Sequence, residues 1–221
     1  MPGLQNTLYI DQKRKENIEF AKENMVQCIY SFARLEGINV SKKNIKQLCH
    51  GISVGGLPIA DIYKINNLCQ GWEFVLETVE LPLDFSYIQK LNQIVNVALV
   101  VPDAGTVRKK DTIVKWAGRK IGVPDRMSVE DEIVRIAHIP SVEERSVRML
   151  LYIAGTRIFS VGNKRTALLA ANHILIRDGK GILYIPADTK DEFLKLLAKY
   201  CIDKDIVKIR DFVYKNCIFR I

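Results

Sequence analysis

The segment from Asn163 to Arg177 is apolar on nearly every side of a helix. Its apolar residues are Ala167, Leu168, Leu169, Ala170, Ala171, Ile174, Leu175 and Ile176. A helix that is hydrophobic all round must be surrounded by other elements, because a surface helix has only one apolar stripe. Gly179 follows and is a typical helix stop. The segment therefore predicts the central helix of a helical domain.

Amphipathic helices are predicted on both sides of this segment from apolar residues at three- and four-residue spacing. They span 11–36 (ending at Gly37), 41–51, 58–82, 84–95, 128–137, 141–155, 189–200 and 206–213. Ser128 is a predicted cap, and the pairs Ser141 with Glu144 and Thr189 with Glu192 are predicted capping boxes. These helices are long enough to enclose the central one.

The helical spacing of apolar residues is interrupted in one stretch of the chain. Between Val101 and Pro124 the β-rich pieces 112–114 and 121–123 flank a turn signal at 117–118. Short β-rich runs on either side of a turn predict a hairpin. The predicted fold class is therefore all-α, a helical bundle with one small β-hairpin.

Composition bounds the class of protein. The chain has 221 residues, 48% of them hydrophobic, which suits one compact domain. It contains no run of about 18 apolar residues and no secretory h-region, so we expect a cytoplasmic protein with no membrane contact. Its scattered cysteines predict buried, reduced thiols rather than a disulfide framework or a zinc site. They are Cys28, Cys49, Cys69, Cys201 and Cys217.

The net charge of +8 comes from two stretches. Residues 105–126 hold seven basic residues against two acidic ones, and the segment 157–166 adds three basic residues and no acid. The chain lacks a recognition-helix motif and an aromatic ladder with interleaved basic residues, so specific nucleic-acid binding is not expected. We expect an anionic ligand or an acidic partner segment instead.

The segment 157–166 reads RIFSVGNKRT and carries the clearest chemistry. Gly162, Asn163, Lys164 and Arg165 fall at the start of the predicted central helix. Free N–H groups and the positive end of the helix dipole converge there, which predicts a site for phosphate. The simpler alternative is a Gly-Asn turn before a helix with two solvated cations.

This segment resembles the signature of the Fic (Fido domain) family, His-x-Phe-x-Asp/Glu-Gly-Asn-Gly/Lys-Arg. The sequence GTVR at 105–108 is similar to the Gly-x-x-Arg that begins the family's hairpin flap. The sequence Gly-Asn-Lys-Arg resembles the motif of the Doc branch of the family. That branch lacks a second Arg three residues after the first, and here that position is Leu168.

The resemblance implies a domain organisation. It covers about residues 84–186, which would form the Fic-like core with its flap and motif. Residues 1–83 would be an N-terminal helical extension packed on this core. Residues 187–221 would be a C-terminal helical tail of the same domain, similar to the tail of many bacterial members.

The resemblance implies transfer of AMP from ATP to a hydroxyl of a target protein, or of phosphate in some Doc-like members. In the family the motif His is the general base and the acid holds Mg²⁺. Here Arg157 occupies the His position and Val161 the acid position. A guanidinium stays protonated and valine offers no oxygen, so we expect no catalytic base and poor Mg²⁺ binding. His138 and His173 lie too far along the chain to replace the base.

Three functions stay open at this point. The first is an impaired Fic-type pseudoenzyme that binds ATP or another nucleotide, with Arg157 as counter-charge in place of the metal, or that acts through a protein partner. The second is an active AMP-transferase or Doc-like kinase that uses another base. The third is a non-specific nucleic-acid binder. A decayed pocket that binds nothing specific is the simplest alternative to the first.

The resemblance also implies two protein contacts. In the family the flap binds the target by strand addition, so the predicted docking residues are Thr112, Ile113, Val114, Lys115 and Trp116. Trp116 is either an exposed anchor or a residue that packs the hairpin on the helices. Many members also carry an inhibitory helix with Ser/Thr-x-x-x-Glu-Gly/Asn. We align it with residues 46–51, where Lys46 replaces Ser or Thr and His50 replaces Glu.

Overall fold

A computed structural model describes residues 2–99, 101–114 and 119–221. The described residues form ten helices and two antiparallel strand pairs. The helices are α1 (Pro2–Glu23), α2 (Met25–Leu35), α3 (Lys42–Cys49), α4 (Ile59–Glu77), α5 (Phe85–Ile94), α6 (Arg126–Ala137), α7 (Val142–Thr156), α8 (Asn163–Arg177), α9 (Lys190–Asp203) and α10 (Val207–Asn216). Within these ranges, none of the helices combines the length and the apolar character that crossing a bilayer requires.

The helix α8 lies at the centre of the fold, as predicted. All of its residues except Lys164 and Arg177 are buried. It packs against α1, α4, α5 and α7. Its first turn carries the residues of the predicted phosphate site, so the most enclosed helix of the domain also positions the candidate site.

Several helix ends differ from the predictions. The predicted helix 11–36 begins earlier, at Pro2, and is divided at Asn24, whose side-chain amide donates to the carbonyl of Phe20 at 2.9 Å. The helix α6 is capped by Asp125 rather than Ser128, because the Asp125 carboxylate accepts the Ser128 N–H at 2.8 Å. The cap at Ser141 is confirmed. Thr189 makes no side-chain cap hydrogen bond.

The predicted hairpin is confirmed, with its second strand two residues earlier than expected. Strand β1 (Thr112–Val114) pairs with β2 (Arg119–Ile121) in antiparallel register, Thr112 opposite Ile121. Lys115 and Trp116, predicted as docking residues, lie outside the described residues, as does the turn at 117–118. A second pair, β3 (Ile182–Leu183) with β4 (Ile218–Phe219), was not predicted because two-residue strands leave no periodic signal.

The prediction of five reduced cysteines is wrong for two of them. Cys49 at the end of α3 and Cys69 in α4 form a disulfide, with 5.6 Å between their Cα atoms. These helices pack on each other, and that contact cannot be read from a spacing of 20 residues. The other three, Cys28, Cys201 and Cys217, are buried thiols, as predicted.

Candidate anion-binding site at the start of α8

A cleft of about 340 Å³ lies where α7 ends and α8 begins. The predicted site residues line it: Arg157, Val161, Gly162, Asn163, Lys164 and Arg165. Glu36, the residue that follows α2, also lines this cleft. The fold therefore brings together all the residues predicted for phosphate binding, and it adds an acid from a distant part of the chain.

Gly162 precedes α8 in a left-handed conformation, with φ of 75°. A Cβ atom at this position would lie 2.7 Å from Nδ2 of Asn96 and 3.2 Å from Nδ2 of Asn92. Glycine is required here on two grounds, the backbone conformation and the close approach of two side-chain amides. The chain can thereby turn sharply into the helix.

The Asn163 side chain shapes the loop that precedes α8. Its Oδ1 accepts the N–H of Phe159 at 2.9 Å, and its Nδ2 donates to the carbonyl of the same residue at 2.7 Å. This pair of hydrogen bonds closes the segment 159–163 into a compact turn. The side chain that was predicted as a phosphate ligand is therefore used within the protein, although Asn163 itself lines the cleft.

The carboxylate of Glu36 forms ion pairs with Lys164 and Arg165. Its Oε1 is 3.2 Å from Nζ of Lys164, and its Oε2 is 3.8 Å from Nε of Arg165. The Lys164 ammonium also donates to the carbonyl of Leu35 at 2.7 Å. The segment 157–166 has no acid of its own, but the residue that follows α2 brings a carboxylate to two of its three cations.

The Arg165 guanidinium is buried, with 4% of the residue exposed. It donates to the carbonyl of Val95, and its second amino group donates to Oδ1 of Asn96 at 3.1 Å. Burial lowers the pKa of Arg165, and the charge of Glu36 opposes this shift. The guanidinium is thus a fixed cation at the floor of the cleft.

Arg157 extends from the cleft to the flap. It ends α7 in a left-handed conformation with φ of 52°. Its guanidinium contacts the hydroxyl of Thr112 at 3.5 Å and the carbonyl of Ile113 at 3.4 Å, both in β1. The residue at the position of the motif His therefore links the loop to the hairpin.

The residues at the metal position do not fit the Mg²⁺ that the family resemblance implies. Val161 is 40% exposed and has no side-chain oxygen. The Asp103 carboxylate accepts the hydroxyl of Ser160 at 2.7 Å, and Glu36 is paired with two cations. Across the described ranges, no group of three or more His, Cys, Asp or Glu side chains is arranged to hold a metal.

Sequence reasoning missed two buried amides of the segment that follows Asp84. Oδ1 of Asn92 accepts the N–H of Gly105 at 2.9 Å, and its Nδ2 donates to the Val161 carbonyl and the Thr166 hydroxyl, both at 3.0 Å. Oδ1 of Asn96 accepts the hydrogen bond from the Arg165 guanidinium. Polar residues on an otherwise apolar helix face were the signal that could have indicated them.

Glu36 was missed as well, and it lines the cleft, whereas residues 46–51 do not. His50 lies at the exposed end of α3, where its Nδ1 is 2.6 Å from the Lys46 carbonyl. The acid that faces the cations instead precedes Gly37, in a Glu-Gly pair with Phe32 at the Ser/Thr position. That Glu-Gly pair was the available signal.

The flap is tied to the motif by a buried arginine. The Arg108 guanidinium donates to the carbonyl of Arg157 at 2.7 Å and to the carbonyls of Lys110 and Gly122. The Arg108 N–H donates to the carbonyl of Ile158 at 2.9 Å. Burial lowers the pKa of Arg108. Both ends of the hairpin are therefore fixed to the loop before α8.

The cations of the flap are partly compensated, and one side chain of β1 is exposed. Lys120 forms an ion pair with Asp111 at 2.6 Å. Ile113 is 63% exposed and Thr112 is half-buried.

The two histidines that were judged too distant to act as a base do not line the cleft. His138 is exposed after α6, and His173 is fully buried in α8.

No protein-family model and no curated protein matches the sequence. Similar solved structures include a Fic domain containing signaling protein from Bacteroides thetaiotaomicron, with a TM-score of 0.74 and 19% identity over 96% of this chain and 92% of that one. Fic-1 from C. elegans has a TM-score of 0.71 and 17% identity, covering 96% and 69%. A Fic family protein from Desulfovibrio desulfuricans has a TM-score of 0.65 and 14% identity, covering 94% and 73%.

These likenesses show the fold. The chain has the helical fold of Fic domain proteins over nearly its whole length. The fold predicted from the motif resemblance is therefore confirmed.

Proposed function

We propose that this protein is a Fic-type nucleotide-binding protein with impaired transferase activity. The start of α8 binds the phosphates of ATP or another nucleotide, in exchange for the carboxylate of Glu36. The observation that carries the proposal is the contact of that carboxylate with Lys164 and Arg165. The start of α8 therefore already binds one anionic group, the carboxylate of Glu36.

The chemistry of the site suits phosphate better than carboxylate. The N–H groups at the start of a helix have no intrahelical partners, and the helix dipole favours negative charge there. A nucleotide triphosphate brings more charge and more acceptor oxygens than one carboxylate. Arg157, which lines the same cleft, adds a further cation and acts as counter-charge in place of a metal.

Impairment follows from the two substituted positions. General-base catalysis typically contributes about 10²–10⁴ in rate, and the Arg157 guanidinium has no lone pair for the hydroxyl proton. Val161 offers nothing to a divalent cation. The family activity, AMP transfer to a target-protein hydroxyl, is therefore proposed to be absent or strongly reduced.

A protein partner is proposed to bind along the flap. The exposed Ile113 side chain and the short strand β1 are suited to strand addition, and Lys115 and Trp116 remain predicted contacts. Binding of this kind would not need the missing base.

Calorimetry with ATP in the presence of EDTA tests the nucleotide site. The wild type should bind weakly, and Glu36→Gln should bind about tenfold more tightly because the competing charge is removed from a partly buried ion pair. Glu130→Gln is the matched control, since Glu130 pairs with Arg126 on the exposed surface. Its affinity should equal that of the wild type.

Two results would contradict the proposal. Heat equal to that of dilution for both the wild type and Glu36→Gln would show that the cleft does not bind nucleotide. Label transferred from labelled ATP to any protein in the presence of Mg²⁺, and lost in Arg165→Ala and Lys164→Ala, would show an active transferase.

A further inference from the structure

A second cavity lies at the opposite end of α8, between α6, α7 and the turn before α5. Its volume is about 130 Å³, far above the ~10–15 Å³ that holds one water molecule. His173, on its wall, lies ten residues after Asn163, or ~15 Å along the helix axis. The cavity is therefore separate from the cleft at the start of α8.

His173 is fully buried, and neither ring nitrogen has a hydrogen-bond partner within the described part of the chain. Burial and then the charge of Arg177 lower its pKa to about 4, so the imidazole is neutral at pH 7. The carbonyls of Leu81 and Thr78 oppose this shift without meeting hydrogen-bond geometry. A carbonyl can serve only the N–H of a neutral imidazole, so the other nitrogen needs a donor.

The same cavity has an excess of positive charge. Arg145 forms an ion pair with Asp178 at 3.0 Å, but its buried Nε has no hydrogen-bond partner among the described residues. Arg177 also lines the cavity, and the described ranges contain no acid in ion-pair contact with it. With His173 neutral, two cations face one carboxylate. A monoanion would balance the site.

The remaining wall is apolar. It consists of Pro82, Leu83, Ala137, Met149 and Ile174. Such a wall suits a short carbon chain rather than a fully hydrated ion, because burying apolar surface is favourable. The ligand must therefore combine one negative charge, one hydrogen-bond donor and a small apolar part.

We propose that this cavity binds a small hydroxycarboxylate. Because Nε of Arg145 and the ring nitrogens of His173 are buried, both side chains must shift to meet the ligand. The carboxylate then contacts Arg177 and Nε of Arg145, and the hydroxyl donates to a ring nitrogen of His173. The apolar wall covers the carbon chain. This site does not depend on nucleotide binding at the other end of the helix.

Titration of the full chain with each enantiomer of lactate tests the site. Propionate, which has the same carbon chain and carboxylate but no hydroxyl, is the control ligand. Calorimetry gives the affinity, and imidazole ¹⁵N chemical shifts report His173 directly. His50 and His138, the other two histidines, serve as internal references. We expect saturable binding of one enantiomer, about tenfold tighter than propionate, with a shift at His173 alone.

Two variants locate the ligand. Arg177→Gln should weaken lactate binding by about tenfold or more, while Arg126→Gln, an exposed arginine outside the cavity, should not. His173→Phe keeps an aromatic ring against Tyr87, which lies 4.7 Å away between ring centroids. In this variant lactate should bind no better than propionate.

The proposal is overturned if neither enantiomer gives saturable heat, or if Arg177→Gln binds lactate as tightly as the wild type. Equal affinity of the wild type for lactate and propionate would overturn the role given to His173. A lactate-induced shift at His50 or His138 without one at His173 would place the ligand elsewhere.

Discussion

The two ends of α8 differ in how their positive charge is compensated. At the start of the helix, Lys164 and Arg165 meet the carboxylate of Glu36 from α2. At the other end, Asp178 pairs with Arg145, and among the described residues no acid pairs with Arg177 and neither ring nitrogen of the buried His173 has a hydrogen-bond partner. One end is an anion site filled by the protein itself, and the other retains unmet polar groups.

This difference shows what each end requires of a ligand. A ligand at the first end must displace an ion pair, so its affinity reports a competition between two anions. A ligand at the second end gains the hydrogen bonds that the protein leaves unmade, because unsatisfied buried groups carry a cost until they are paired.

The largest effect is expected from placing the His and the acid of the Fic signature at the first end. Arg157→His with Val161→Asp supplies a base and a metal ligand, and placing both in Glu36→Gln removes the competing carboxylate. Transfer of label from ATP in Mg²⁺ should exceed that of Glu36→Gln alone by about 10²–10⁴, the usual contribution of a general base.

The single variants Arg157→His and Val161→Asp in the same background are its controls. Each should give less transfer than the pair, since the base and the metal ligand act together. A combined variant with no more transfer than Glu36→Gln alone would mean that more than these two positions has been lost from the site.

The second prediction concerns pH and the other end of α8. Unfolded His173 takes up a proton near its ordinary pKa of 6.5, whereas the folded residue does so only near pH 4. The unfolded chain binds more protons in this window, so folding stability falls as the pH drops from 6.5 to 4, by roughly 3 kcal/mol from this group. Chemical denaturation at several pH values measures the effect.

His173→Phe should lack this part of the pH dependence, although Arg145, Arg177 and Asp178 remain around the site. The carboxylates whose pKa values are lowered, such as Asp125 and Glu144, act equally in both proteins. Parallel stability curves for the two proteins between pH 6.5 and 4 would disprove the assignment.

The smallest expected effect is a difference in folding stability between alanine variants of two glycines that both have a left-handed backbone. Gly162→Ala and Gly56→Ala should each lose about 1–2 kcal/mol of folding stability from this conformation. Gly162→Ala should lose about 1 kcal/mol more, because its Cβ would strike the amide of Asn96, whereas nothing lies within 4 Å of a Cβ at Gly56. Equal losses in urea denaturation would show that the amide yields without cost.

Sequence reasoning predicted the parts of the fold that rest on local pattern. The all-round apolar character of 163–177 indicated the buried central helix, and the Gly-Asn-Lys-Arg at its start indicated a site that the fold does assemble. The break at Asn24 and the pairing of β3 with β4 were not predicted, because neither leaves a periodic signal.

What the sequence could not provide was the compensation of charge across the fold. Leu35, whose carbonyl accepts Lys164, lies 129 residues from it, and no spacing rule joins positions so far apart. The compensation of Lys164 and Arg165 by Glu36 was therefore not predicted. The bond between Cys49 and Cys69 was missed for the same reason, since it depends on how α3 packs on α4.

The central claim is that Glu36 occupies an anion site that nucleotide phosphate can take over. A crystal structure of the full chain with ATP and EDTA tests this claim most directly. We predict phosphate density against the backbone N–H groups at the start of α8, in contact with Lys164, with the Glu36 carboxylate displaced from Lys164 and Arg165. Nucleotide bound elsewhere while Glu36 keeps both contacts would contradict the account.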